Sequence, residues 1–242
     1  MASLNAKRGH SSSSNSSRSS SILILAAHVY IAVGMRGESS EGTTPLILAA
    51  ANNHADCVNV LLEHGAEPNA RRLTGTCALF FAAQGGFIDI VRLLLDSGTT
   101  IDTASYDGGT PLFVACQCNH IEVVEEMLKR GADIHAEMAD GATPLFKAAH
   151  KGNLECVEEL VKYGANLGAL ENGESALHAA ALFGHMAVVK HLMVNGSIPD
   201  LKNKDGFSPI DLAKDSGYGS IADYLRKCRH TTANGMSSQT AV

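Results

Sequence analysis

Apolar residues fall along this chain in short stripes. Between residues 121 and 129, Val123, Val124, Met127 and Leu128 recur at i, i+1, i+4 and i+5, and Glu122, Glu125, Glu126 and Lys129 take the other face. That spacing predicts an amphipathic helix. The stretch before it, from Thr110 to Asn119, is shorter and almost wholly apolar. Thr110 reads as an N-cap, its hydroxyl accepting an orphan backbone N–H. Pro111 follows at the first helical position, where a missing N–H costs nothing. Ala115 and Cys116 are small enough to let a neighbouring helix approach closely, and Asn119 ends the element. Gly131 stops the second helix, and an extended finger with a turn runs on to Gly141.

This unit recurs along the chain. The glycine that opens it stands at Gly42, Gly75, Gly108, Gly141, Gly173 and Gly206, with steps of 33, 33, 33, 32 and 33. The residue ending the first helix keeps the same steps at Asn53, Gly86, Asn119, Gly152, Gly184 and Gly217. A third marker follows at Gly65, Gly98, Gly131, Gly164 and Gly196. Only Gly and Asn occupy the second marker, as a left-handed C-terminal residue requires. One helix pair cannot bury its stripe alone, but stacked pairs can, so the pattern predicts an elongated solenoid.

The helix-starting pair recurs as Thr44-Pro45, Thr143-Pro144 and Ser208-Pro209, while Cys77-Ala78 and Ser175-Ala176 depart from it. Thr-Pro-Leu-Phe at residues 110–113 and 143–146, set in the period of 33, resembles the Thr-Pro-Leu-His motif of the ankyrin repeat family. The family histidine is retained at His178; Phe80, Phe113 and Phe146 replace it in three consecutive copies and read as an apolar ladder along the inter-repeat seam. The resemblance covers residues 38–227. It implies an all-α solenoid of helix-turn-helix units with β-hairpin fingers, and a partner docked on the concave side.

The expected organisation has three parts. Residues 1–37 form a Ser-rich disordered tail followed by a short apolar segment. Residues 38–229 form six repeats, at 38–74, 75–107, 108–140, 141–172, 173–205 and a C-terminal cap at 206–229. Residues 230–242 form a second disordered tail. Nine of the eleven residues at 11–21 are serine, a composition with nothing to bury. The apolar run at 22–33 is too short to span a bilayer. It reads as a cap on the first repeat, as a secretory signal, or as part of a mitochondrial presequence, and an alternative start to the chain is a further reading. The finger at 164–173 is one residue short, which predicts a tighter or redirected turn.

The 242-residue chain has a formal net charge of −6. Residues 1–37 hold Lys7, Arg8, Arg18 and Arg36 and no acid, so the remainder carries −10. An acidic array argues against nucleic acid as the main partner. Six cysteines in repeat positions, with no metal-ligand spacing, read as reduced thiols and point to the cytoplasm. Thr240-Ala241-Val242 fits a C-terminal ligand for a PDZ domain.

Variable slots mapped through the resemblance yield the candidate partner-binding residues. The turns contribute Arg71, Leu73, Tyr106, Met138 and Lys204, and the positions after opening glycines contribute Thr76 and Phe207. The ends of the first helices contribute Gln84, Gln117, Cys118, His150, Lys151, Leu182 and Phe183. Five of these, Tyr106, Met138, Leu182, Phe183 and Phe207, are apolar where the fold needs no apolar residue. Exposed apolar side chains in such slots anchor interfaces.

The pattern predicts no catalytic residue, cofactor or metal. His54, His120, His178 and His185 recur at repeat positions, so their spacing is that of the fold. Asp107, Asp140 and Asp205 precede opening glycines and serve turns. The expected function is a non-catalytic protein-interaction scaffold. The alternative is a membrane-associated or exported adaptor, delivered by residues 22–33 and tethered by the C-terminus. An enzyme using the array for targeting is disfavoured, since no stretch outside the repeats exceeds forty residues.

Overall fold

The computed structural model describes residues 41–235, with side chains through Arg229. The segments read above as a cap, a targeting signal and a PDZ ligand lie outside the described residues. Twelve helices follow in order among the described residues: α1 (Pro45–Ala51), α2 (Ala55–Glu63), α3 (Ala78–Gly85), α4 (Ile88–Asp96), α5 (Pro111–Cys118), α6 (Ile121–Lys129), α7 (Pro144–Lys151), α8 (Leu154–Lys162), α9 (Ala176–Leu182), α10 (Met186–Val194), α11 (Pro209–Asp215) and α12 (Gly219–Gly235). Each odd-numbered helix packs on its own partner and on the odd-numbered helices of both neighbours, and the even-numbered row makes a looser seam. The alanines explain the difference. Ala50, Ala82, Ala83, Ala115, Ala148, Ala149, Ala180 and Ala181 are fully buried where the first helices meet.

The caps follow the sequence reading. Thr44, Thr110 and Thr143 accept the backbone N–H three residues on, at 3.3, 3.2 and 3.2 Å, and Ser208 does the same for Asp211 at 3.2 Å. Cys77 caps α3 without a side-chain bond. Every positive-φ residue among the described residues stands at one of the three markers, Asn53 and Asn119 included.

The expected β-hairpin fingers are corrected. Among the described residues there are no strands, only one isolated antiparallel bridge between Arg71 and Cys77. Each finger instead ends in a tight turn closed by two bonds, such as Met138 N–H to Ala142 O at 3.0 Å and Gly141 N–H to Met138 O at 2.8 Å. The closed stretch is too short to propagate a ladder.

Neighbouring fingers are tied through their backbones. The residue two before each opening glycine donates to the carbonyl just before the preceding opening glycine: Leu73 to Glu41 at 2.9 Å, Tyr106 to Thr74 at 3.0 Å, Ala139 to Asp107 at 2.8 Å and Lys204 to Asn172 at 3.1 Å. The short finger breaks this series, because Glu171 makes no corresponding bond to Asp140.

The last helix runs to Gly235, six residues beyond the boundary expected at 229, because no Gly-Ala pair stops it earlier. Lys214, Asp215, Asp223, Arg226, Lys227 and Arg229 are all exposed on this last described unit.

Candidate protein-binding face

Three of the residues that follow a helix-ending Gly or Asn tie their repeat to the one before it. His120 donates from Nε2 to Gln84 O at 2.9 Å, Asn153 from Nδ2 to Cys116 O at 2.7 Å and Gln117 O at 3.2 Å, and His185 from Nε2 to His150 O at 3.0 Å. These carbonyls lie at the C-terminal end of a first helix and have no intrahelical donor. The histidines recur because the fold uses them as staples. Gln84, Gln117 and His150, selected from the sequence as partner-facing, therefore have their backbones committed to the stack. The sequence signal for this role was the recurrence of His54, His120 and His185 after the second marker, but periodicity alone does not reveal a bond spanning some 35 residues.

The candidate residues divide by exposure. Arg71, Leu73, Gln84, Tyr106, Cys118, Lys151, Phe183, Lys204 and Phe207 are exposed, and Gln117, Met138, His150 and Leu182 are half-buried. Thr76 is corrected: it is 7% exposed, and its hydroxyl lies 2.8 Å from that of Thr74 inside the turn.

Two pairs of candidates meet. The Arg71 guanidinium lies over the Tyr106 ring, 5.7 Å from its centroid. The same arginine donates from Nε to Gly75 O at 2.8 Å and from Nη2 to Ala104 O, so it is clamped between two fingers. Tyr106 remains 74% exposed above it. Beside it, Thr74, Thr76, Phe80, Ser105, Tyr106 and Asp107 border an open hollow of about 330 Å³. Farther along, the His150 and Phe183 rings from adjacent repeats meet at a tilt of 54°, their centroids 4.1 Å apart. Burial first, then Lys147 and Lys151, holds His150 below its ordinary pKa, so its neutral ring packs on Phe183. Phe207 is 43% exposed, with its N–H tied to Asn203 Oδ1 at 2.9 Å.

The former motif position holds a buried histidine. His178 is 1% exposed. Its Nδ1 accepts the Ser175 N–H at 3.0 Å, and its Nε2 faces Phe207 O at 3.3 Å. Burial pushes its pKa down. Of the phenylalanines in the same slot, Phe113 is buried and Phe80 and Phe146 are half-buried. All six cysteines are free thiols. No group of three His, Cys, Asp or Glu among the described residues is placed to hold a metal, and no described helix is long and apolar enough to cross a membrane.

Stacked helix pairs, left-handed glycines at a fixed step and carbonyl staples between units define a repeat solenoid of the ankyrin type. The ankyrin-repeat family model of three copies matches residues 68–138, 127–202 and 145–234, and the single-repeat model matches residues 41–73. The chain belongs to the ankyrin repeat family, whose repeats are generally protein-interaction modules and typically non-catalytic. It is similar to ankyrin repeat domain-containing protein 29 from Homo sapiens, 48% identical over 48 residues, which is 20% of this chain and 16% of that protein. It is also similar to the E3 ubiquitin-protein ligase Ufd4 from Drosophila melanogaster, 42% identical over 55 residues, 22% of this chain and 2% of the ligase. The chain thus matches only a small part of the length of either relative.

Proposed function

We propose that this array is a non-catalytic scaffold that takes a protein partner on the face built from finger tips and first-helix ends. The observation that carries the reading is the set of exposed aromatics Tyr106, Phe183 and Phe207 at positions the repeat core does not use. Two of them are held in place before any partner arrives, Tyr106 by Arg71 and Phe183 by His150. An aromatic ring already fixed by a neighbour loses little entropy on binding, and rings of this kind are frequent interface anchors. Free cysteines support a reducing compartment, and the acidic array supports a protein rather than a nucleic-acid partner.

The test is affinity purification of the full chain against the Tyr106→Ala/Phe183→Ala/Phe207→Ala variant, followed by measured affinity for each recovered protein. Binding weakened by at least about a hundredfold is expected, since one anchor of this size contributes about 2 kcal/mol or more and three are removed together. A recovered partner with equal affinity for both would show that the face lies elsewhere.

A further inference from the structure

The short finger opens a gap with its own chemistry. At the other junctions the next finger lies hard against the opening glycine. A Cβ added at Gly75 would come within 2.9 Å of Tyr106 N, one at Gly108 within 2.8 Å of Glu137 O, and one at Gly173 within 2.9 Å of Asn203 Cα. At Gly141 nothing lies within 4 Å. A side-chain tie made at the first two finger bases is absent here, as it is at the following base, where Gly168 stands. At the finger bases, Asn69 Oδ1 accepts Thr100 N–H at 2.8 Å and Asp102 Oδ1 accepts Asp133 N–H at 3.0 Å. The next residue in that series is His135, which offers no carboxylate or amide oxygen. The fourth finger keeps its tip turn, with Gly173 N–H on Leu170 O at 2.9 Å, and keeps its bond to the fifth. The missing residue therefore falls in the base, and the third and fourth fingers stand apart.

Between them lies a hollow of about 720 Å³. Ile134, Leu145 and Leu170 supply its apolar lining, and Glu137 and Glu171 stand exposed at its rim. Asp140 is exposed nearby. None of these three acids has an ion-pair partner among the described residues, although Arg72, Arg92, Lys129, Arg130, Lys162, Arg226 and Arg229 are all paired elsewhere. The gap thus combines a hollow with an apolar lining, roomy enough for an apolar side chain together with its backbone, carboxylates without an ion pair on both sides, and a donor and an acceptor, Glu171 N–H and Asp140 C=O, that other junctions use up.

We propose that this gap receives an extended segment of a partner protein, in which one apolar side chain flanked by lysine or arginine enters the hollow. The segment replaces the missing finger contact. Its backbone pairs with Glu171 N–H and Asp140 C=O, in the manner of strand addition. Its cations face Glu137 and Glu171. The site is separate from the aromatics of the concave face, and neither reading depends on the other.

The experiment pans a phage-displayed library of random decapeptides against the full chain and measures selected peptides by fluorescence anisotropy. The expected sequences carry a Leu, Ile or Met between Lys or Arg residues. Glu137→Gln/Glu171→Gln, an exposed pair whose change leaves the core intact, is expected to weaken them about tenfold, the scale of losing charge partners at an interface. One alanine inserted after Gly168 restores the regular finger length and is expected to abolish binding. Tyr106→Ala is expected to leave it unchanged, which separates this site from the concave face. Selected peptides that are acidic, or that bind both gap variants as well as the parent, overturn the proposal. Binding that appears only after Lys7, Arg8, Arg18 and Arg36 are all changed to Gln assigns the gap to the chain's own leading segment and overturns it equally.

Discussion

The His120 ring sits directly on Gly86 of the preceding repeat, where an added Cβ would lie 2.4 Å from its Nδ1. The same relation joins His185 to Gly152 and Tyr218 to Gly184, at 2.5 and 2.3 Å. Where the preceding slot is Asn119, the next repeat carries Asn153 in place of a ring, and its amide reaches Cys116 O and Gln117 O beside that slot. Glycine at this marker therefore serves two ends, the left-handed turn and room for the neighbour's ring.

Gly98 separates the two contributions. It has φ +84° and nothing within 4 Å of an added Cβ, against φ +72° and a blocking ring at Gly86. Gly98→Ala is expected to cost about 1 kcal/mol from backbone strain alone. Gly86→Ala is expected to cost about 1–3 kcal/mol more, as overpacking does. Urea midpoints of the two variants check this; equal costs would mean that the His120 ring moves aside freely.

The staple itself is testable at His185. Its replacement by alanine leaves the His150 carbonyl without a donor, a loss of about 1–3 kcal/mol. His185→Asn is expected to recover part of it, because Asn153 does the same work one repeat earlier. Hydrogen exchange is expected to rise first in α7 and α9, on either side of the broken tie.

Cys77 starts α3 without a capping side chain, unlike Thr44, Thr110 and Thr143. Cys77→Thr is expected to raise stability by about 0.5–1 kcal/mol, the usual contribution of an N-cap hydroxyl. Thr110 occupies the equivalent buried place at 3% exposure, so the hydroxyl fits. A lower thermal midpoint would contradict the equivalence of the two slots.

Stability is expected to fall as the pH drops below about 6.5. Burial lowers the pKa of native His178 from the ordinary 6.5. Above that value neither folded nor unfolded His178 is protonated, and its contribution is fully present. As pH falls through it, the unfolded chain gains a proton that native His178 resists, so stability is lost towards the lower folded pKa. His178→Phe places there the residue that three other repeats use, and is expected to flatten the profile in part. The remaining slope comes from His150, lowered chiefly by burial, and at lower pH from Asp107, Glu126 and Asp211, which hydrogen bonds from Ser105, Arg130 and Ser208 hold below the usual carboxylate range. An unchanged pH profile would mean that His178 titrates alike in both states.

Much of the solenoid was legible because it is local. Thr110 and Pro111 start a helix through their own backbone chemistry, and Asn119 ends one because φ of 63° suits few other residues. The exposed aromatics were legible as residues the repeat does not need. Thr76 was misplaced because a slot number does not say which way a turn faces. The staples were missed because His120 and Gln84 become neighbours only once two repeats have stacked. The finger ladders were overestimated because a two-bond turn and the end of a hairpin share one sequence pattern.

By itself, the sequence determined the repeat, its caps and the step of 33, since each follows from backbone preference and helical period within a single unit. Tertiary structure alone decided what passes between units: which carbonyl a histidine meets, which glycine must admit a ring, and whether a finger one residue short closes up or stands open. Those outcomes depend on how rigid neighbours pack, and packing distances are set by the whole stack rather than by any one repeat.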